Sequence, residues 1–122
     1  MLPAGAESEK PMRAGPQLLQ GTLELMILKT LSWEKLNGFA ISQWIRERTA
    51  EEILVEEGAM YPALHRLERR GLINGEWGVT ENNRKARYYR LTAAGRRELR
   101  VQERRWSRYV DAVARVLEPV RR

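Results

Sequence analysis

The sequence predicts a mainly α-helical chain with one small β-hairpin, an α+β fold closed by a long C-terminal helix. Three observations carry this. Apolar residues recur at spacings of three and four in four separate stretches of the 122-residue chain. Between the third and fourth stretches lie two short runs of strand formers joined by the polar segment TENNRK. The last helical pattern runs over 93–118, until Pro119, and is much the longest.

Residues 1–16 read as a flexible N-terminal arm, because Pro3, Gly5, Pro11, Gly15 and Pro16 punctuate it and no hydrophobic period appears. In the first helix, expected over 18–33, Leu19, Leu23, Met26, Ile27 and Leu31 form one apolar stripe. Its only charges are Glu24 and Lys29, which predicts burial over much of its surface. Asn37-Gly38 signals a turn. A second helix follows over 38–49, with Ile41, Trp44 and Ile45 on one face and Trp44 expected in the core. The acidic segment 51–57 reads as a connector with a possible short strand at Ile53-Leu54-Val55.

The third helix is expected over 58–70. At 100° per residue, Met60, Leu64 and Leu67 share one face. Gly58, Ala59, Pro62, His65, Arg66 and Arg69 fall opposite, with Tyr61 at the edge of the core stripe. Pro62 is placed near the first turn, where a missing N–H costs little. Gly71 stands where a C-terminal cap belongs. Strands are expected over 72–79 and 86–91, the second carrying Tyr88 and Tyr89 on opposite faces. Thr92 is a good N-cap for the last helix, about 38 Å long at a rise of about 1.5 Å per residue. Leu99, Trp106, Val110, Val113 and Leu117 recur along it at heptad-like spacing, and Tyr109 widens the stripe. So long a helix outruns so small a core, so its stripe is expected to pair with a second copy.

Composition bounds the chemistry. With 43% hydrophobic and 31% charged residues, the chain should be globular and of one-domain size. There is no cysteine and only one histidine, so neither a disulfide framework nor a metal site is expected, and no cofactor motif is present. No apolar run approaches the ~18 residues of a membrane span, and the first sixteen residues lack a signal-peptide core. The expectation is a cytoplasmic protein without a membrane partner. An enzyme is not expected, because His65 and Glu68 have no nucleophile and no second histidine beside them, and no phosphate-cradling glycine loop occurs.

Charge is unevenly distributed. Residues 1–56 hold 6 Lys+Arg against 8 Asp+Glu, and residues 57–122 hold 16 against 8, so the halves carry −2 and +8. A one-sided basic surface attracts polyanions. The element order helix, helix, helix, strand, strand, helix is that of a winged helix-turn-helix over 17–92, with a dimerisation helix and tail over 93–122. In that arrangement Gly58, Ala59 and Pro62 keep the front of the third helix narrow enough to approach a DNA groove, and His65, Arg66 and Arg69 supply donors. Asn82, Asn83, Arg84 and Lys85 at the hairpin tip suit a phosphate or a narrow minor groove. Double-stranded DNA and a second copy of the chain are the expected partners. A winged-helix adaptor that binds protein is the alternative.

The segments LLQGTLELMILKTLS (18–32), NGFAISQWI (37–45), EEGAMYPALHRLERRGLI (56–73) and ENNRKARYYRLTAAGRREL (81–99) resemble the PadR family of bacterial transcriptional regulators. The Tyr61-Pro62 pair and the YYRLT passage are the most specific marks. The resemblance implies a repressor that dimerises through its C-terminal helix and binds a pseudo-palindromic operator. The chain looks like the shorter subgroup with a single C-terminal helix. Tyr61, Pro62, His65 and Arg66 then fall in the recognition helix, and Asn83, Arg84 and Lys85 in the wing. The Tyr61 hydroxyl either reaches a phosphate or its ring packs. Trp106 either stacks a flat aromatic effector at the dimer interface, which makes a small-molecule sensor a further alternative, or fills the seam.

Overall fold

The computed structural model describes Met12–Arg13 and residues 20–120. In chain order the elements are β1 (Met12–Arg13), α1 (Gln20–Leu31), β2 (Leu36–Asn37), α2 (Gly38–Arg48), β3 (Ile53–Leu54), α3 (Glu57–Arg69), β4 (Ile73–Val79), β5 (Lys85–Leu91) and α4 (Ala93–Leu117). The four helices and the β4–β5 hairpin match the expected α+β architecture, including the long final helix.

Helix ends follow from local hydrogen bonds. α1 stops at Leu31 because Ser32 and Trp33 donate their N–H groups to Lys29 and Thr30, three residues back, and the Ser32 hydroxyl also closes on Lys29. Asn37, read as a turn, is the N-cap of α2: its Oδ1 accepts the Ala40 N–H at 2.8 Å. α3 ends in a Schellman motif, with Gly71 N–H on the Glu68 carbonyl, Leu72 N–H on the Leu67 carbonyl and Gly71 at φ +74°. The Thr92 hydroxyl accepts the Gly95 N–H and donates to the Gly71 carbonyl at 2.7 Å, so the cap of α4 is tied to the end of α3.

Several expectations are corrected. α3 begins at Glu57, one residue before its expected start, which makes Pro62 its sixth residue. Its missing N–H deprives the Gly58 carbonyl of its helical donor, but both residues are exposed, which leaves that oxygen open to solvent. The sheet has a third strand: Leu36 and Asn37 pair antiparallel with Tyr89 and Tyr88, giving the order β2-β5-β4. β3, which the connector hinted at, pairs in parallel with β1, so Met12–Arg13 of the expected arm is a strand. The rest of that arm lies outside the described residues.

The core gathers one face of each helix and of the β4–β5 hairpin. Leu23, Ile27, Leu28 and Leu31 of α1 meet Ile41 and Ile45 of α2, Met60, Leu64 and Leu67 of α3, and Ile73, Tyr89 and Leu91 of the sheet. Trp44 is only partly buried against it. Leu99, expected in an intersubunit stripe, belongs to this core with 5% exposure. It sits early on α4, where the helix still lies on its own domain. From Arg104 to Val120 every residue is exposed.

Candidate nucleic-acid interface

α3 is strongly amphipathic. Met60, Ala63, Leu64 and Leu67 are buried, which fixes the opposite stripe of Gly58, Tyr61, Pro62, His65 and Arg69 toward solvent. Small side chains at the start of that stripe leave the backbone approachable, and the two nitrogen donors follow within two turns. Ala59 does not share the exposed face: it is half-buried against the core.

Arg66 also differs from expectation. It lies on the flank of α3, and its Nε donates to Glu24 Oε2 of α1 at 3.0 Å. Arg70 donates to the other oxygen of the same carboxylate at 3.2 Å and approaches Glu98 of α4 at 3.7 Å. Glu24 is buried, so these arginines compensate a carboxylate withdrawn from water. The opposite flank is held in the same manner. Glu68 accepts from Arg87 of β5 at 2.6 Å, and the Arg87 guanidinium stacks near Trp77 and Tyr89. Arg87 reaches Glu68 by lying across Gly75, where a Cβ would stand 2.5 Å from its Nε. The Glu68 hydrogen bond favours the charged guanidinium of Arg87, and burial pushes the Tyr89 phenol up.

The wing presents Asn82, Asn83, Arg84 and Lys85, all exposed. Its tip is closed by Thr80 N–H on the Arg84 carbonyl and Asn83 N–H on the Thr80 carbonyl, with Asn83 at φ +60°. Asparagine tolerates this left-handed conformation, so Asn83 also shapes the turn. Among the described residues, Arg69, Arg84 and Lys85 take part in no ion pair, whereas Lys35 and Arg90 are both engaged by Glu76. The Lys35 hydrogen bond, and then that of Arg90, hold the Glu76 carboxyl below the usual carboxylate range.

A cleft of about 950 Å³ separates the wing from the start of α2. Phe39, Tyr61, Trp77, Arg84 and Lys85 line it. The Tyr61 ring lies against Gly38, where a Cβ would come within 3.1 Å of Cε1, and the residue is still 48% exposed. Tyr61 therefore packs and faces the cleft at once. Phe39 and Trp77 were not picked out from sequence. Their exposures of 67% and 68% are invisible to a hydrophobicity pattern, which marks both as core candidates.

Trp106, Tyr109, Val110, Val113 and Leu117 are exposed along the free part of α4. Trp106 and Tyr109, with ring centroids 6.1 Å apart, border a second cleft of about 510 Å³ that Thr22, Leu25, Arg70 and Arg105 complete. No helix among the described residues is long and apolar enough to cross a membrane.

Comparison with known proteins gives this geometry a context. The chain is similar to a PadR family transcriptional regulator from Eggerthella lenta, with 33% identity, 83% of this chain and 86% of that one covered, and a TM-score of 0.71. It is similar to a transcriptional regulator from Clostridium thermocellum at 27% identity, covering 81% and 96%, with a TM-score of 0.75. A PadR-like transcriptional regulator from Bacillus cereus matches at 29% identity over 85% and 99%, with a TM-score of 0.72. A family model matches residues 27–101, from the core of α1 through the wing into α4, and the chain belongs to the transcriptional regulator PadR-like family.

Proposed function

We infer that this PadR-family transcriptional regulator acts as a homodimeric repressor on a pseudo-palindromic operator. The observation that carries the reading is the contrast between two surfaces. The exposed stripe of α3 and the wing tip present Arg69, Arg84 and Lys85 without intramolecular ion pairs, while the free part of α4 presents large apolar side chains. Unpaired cations beside a narrow helix face suit a phosphate-lined groove. The exposed apolar stripe of α4 suits a second copy, because such a seam left in water loses its burial energy. In the dimer, two α3 helices enter successive major grooves about 34–36 Å apart. Gly58, Tyr61, Pro62 and His65 face the bases, and Asn82, Arg84 and Lys85 hold the flanking backbone.

The cleft beside Trp106 supports an effector step. A planar aromatic molecule bound beside Trp106 and Tyr109 would shift the dimer toward whichever arrangement binds it better. Quenching of tryptophan fluorescence by such a compound, lost in Trp106→Ala, tests this.

The main reading is tested by selecting bound duplexes from a random pool, with sedimentation in parallel. A two-fold symmetric site and a dimer are expected. Selection of no sequence, or duplex binding that is absent at low salt, overturns the reading in favour of a protein-binding adaptor, because phosphate contacts release counterions and so bind best at low salt.

A further inference from the structure

Glu24 is the one charged residue buried among the described residues, and its carboxylate is turned to the flank of the recognition helix. One oxygen takes Arg66 Nε at 3.0 Å and the other takes an Arg70 nitrogen at 3.2 Å. The Glu24 side chain is 8% exposed, whereas those of Arg66 and Arg70 are 34% and 49% exposed. The Arg66 head thus borders solvent on the flank of α3, next to its outward stripe, while the Arg70 head turns toward α4 and, with Glu24, lines the cleft beside Trp106. A buried ion pair is weak evidence for stability, since an apolar residue at this position of α1 would bury the same surface without desolvating a charge. What an apolar residue cannot do is occupy two guanidiniums with two anionic oxygens.

Resting on the reading of α3 as a DNA-binding helix, we propose that Glu24 limits sequence-independent binding: it stands in for a DNA phosphate. By holding Arg66 and Arg70, it withholds two cations from contacts that any duplex would satisfy equally. Phosphate contacts raise affinity for all sequences alike, so withholding them lowers the pull of any duplex on the chain and leaves discrimination to the base-facing stripe. The stripe that remains, with its small residues and His65, reads shape and base edges rather than bare charge. Arg70 is shared with Glu98, so α4 also draws on the same guanidinium and helps keep it from the duplex.

The test measures binding of the full chain to a duplex of arbitrary sequence over a salt series, and reads the slope of log affinity against log salt. Glu24→Gln keeps the side-chain shape and loses the charge. It should bind that duplex about tenfold tighter at low salt, with a slope steeper by about one to two, from roughly 0.9 per freed arginine. Adding Arg66→Gln to Glu24→Gln should return about half of the gain. Arg66→Gln alone should leave the wild-type slope where it is, because the arginine touches no phosphate in the wild type. A purely structural role for Glu24 predicts weaker binding with an equal or shallower slope, and that result overturns the proposal. So does a loss of about 0.9 in Arg66→Gln alone, which decides the matter even if Glu24→Gln does not fold. Wild-type protein that binds no duplex at low salt overturns the DNA reading itself, whereas normal wild-type binding with an unmoved slope in Glu24→Gln overturns this proposal only.

Discussion

Gly95→Ala tests how closely α4 is set onto the DNA-binding domain. A Cβ built on Gly95 stands 2.0 Å from the Leu72 carbonyl oxygen, 2.9 Å from Leu91 Cδ2 and 3.0 Å from the Leu72 carbonyl carbon. The obstacle is backbone, so no rotamer change relieves it. Overpacking of this kind costs about 1–3 kcal/mol. The Leu72 carbonyl also accepts the Thr92 N–H at 3.1 Å, and displacing it forfeits about 1 kcal/mol more. Alanine returns up to about 1 kcal/mol through its better helix propensity. The net destabilisation is about 1–3 kcal/mol, or roughly 5–10 °C in Tm for a chain of this size. Urea and thermal unfolding should be compared at one protein concentration, because the stability of a dimer depends on it. A variant as stable as the wild type would refute the close crossing of α4 over Leu72. The same crossing sets the direction in which α4 leaves the domain, so DNA affinity should fall with stability.

Three further outcomes are expected. Arg84→Ala should weaken binding evenly across sequences and make the salt slope shallower by about 0.9, measured by fluorescence anisotropy over a salt series; an unchanged slope removes Arg84 from the backbone contacts. Val113→Asp, which puts a charge into the exposed stripe of α4, should shift sedimentation to the monomer at concentrations where the wild type is dimeric. Leu64→Ala, at a side chain with no exposure, should cost about 2–5 kcal/mol in urea unfolding, and a loss below about 1 kcal/mol would mean that this face of α3 is not packed against α1 as described.

The features legible in the sequence were those with a local period or a local cap. The buried stripe of α3, its glycine cap, the Thr92 cap and the two strands of the hairpin all follow from residues within a turn or two of each other. Arg66 was not legible, because its partner is 42 residues away on α1 and a helical wheel marks only that it is off the core face. β2 has two residues, too few to show alternation. Leu99 was assigned to the wrong surface because the apolar spacing of α4 continues unbroken from the domain core into the free helix. Periodicity says which face is apolar, and not which body covers it. Ala59 lies at the border between the buried and exposed faces of α3, where a wheel alone does not decide, and the start of α3 is not pinned down by a pattern without a side-chain cap at Glu56.

α3, the proposed recognition helix, is held by two kinds of interaction that do different jobs. Burial of Met60, Leu64 and Leu67 presses α3 against the core, but hydrophobic contact is non-directional and tolerates rotation about the helix axis. The flanking ion pairs are directional. Arg66 and Arg70 tie one flank to α1, and Glu68 ties the other to the wing through Arg87. Rotation of α3 in either sense must stretch one set while crowding the other, so the pairs fix which stripe faces outward. They also neutralise cations on the flanks, so that the outward stripe keeps its own donors, His65 and Arg69, while much of the neighbouring positive charge is spoken for within the fold. A chain with net charge +6 therefore offers less free positive charge on the flanks of α3 than its sequence suggests, because internal carboxylates engage Arg66, Arg70 and Arg87.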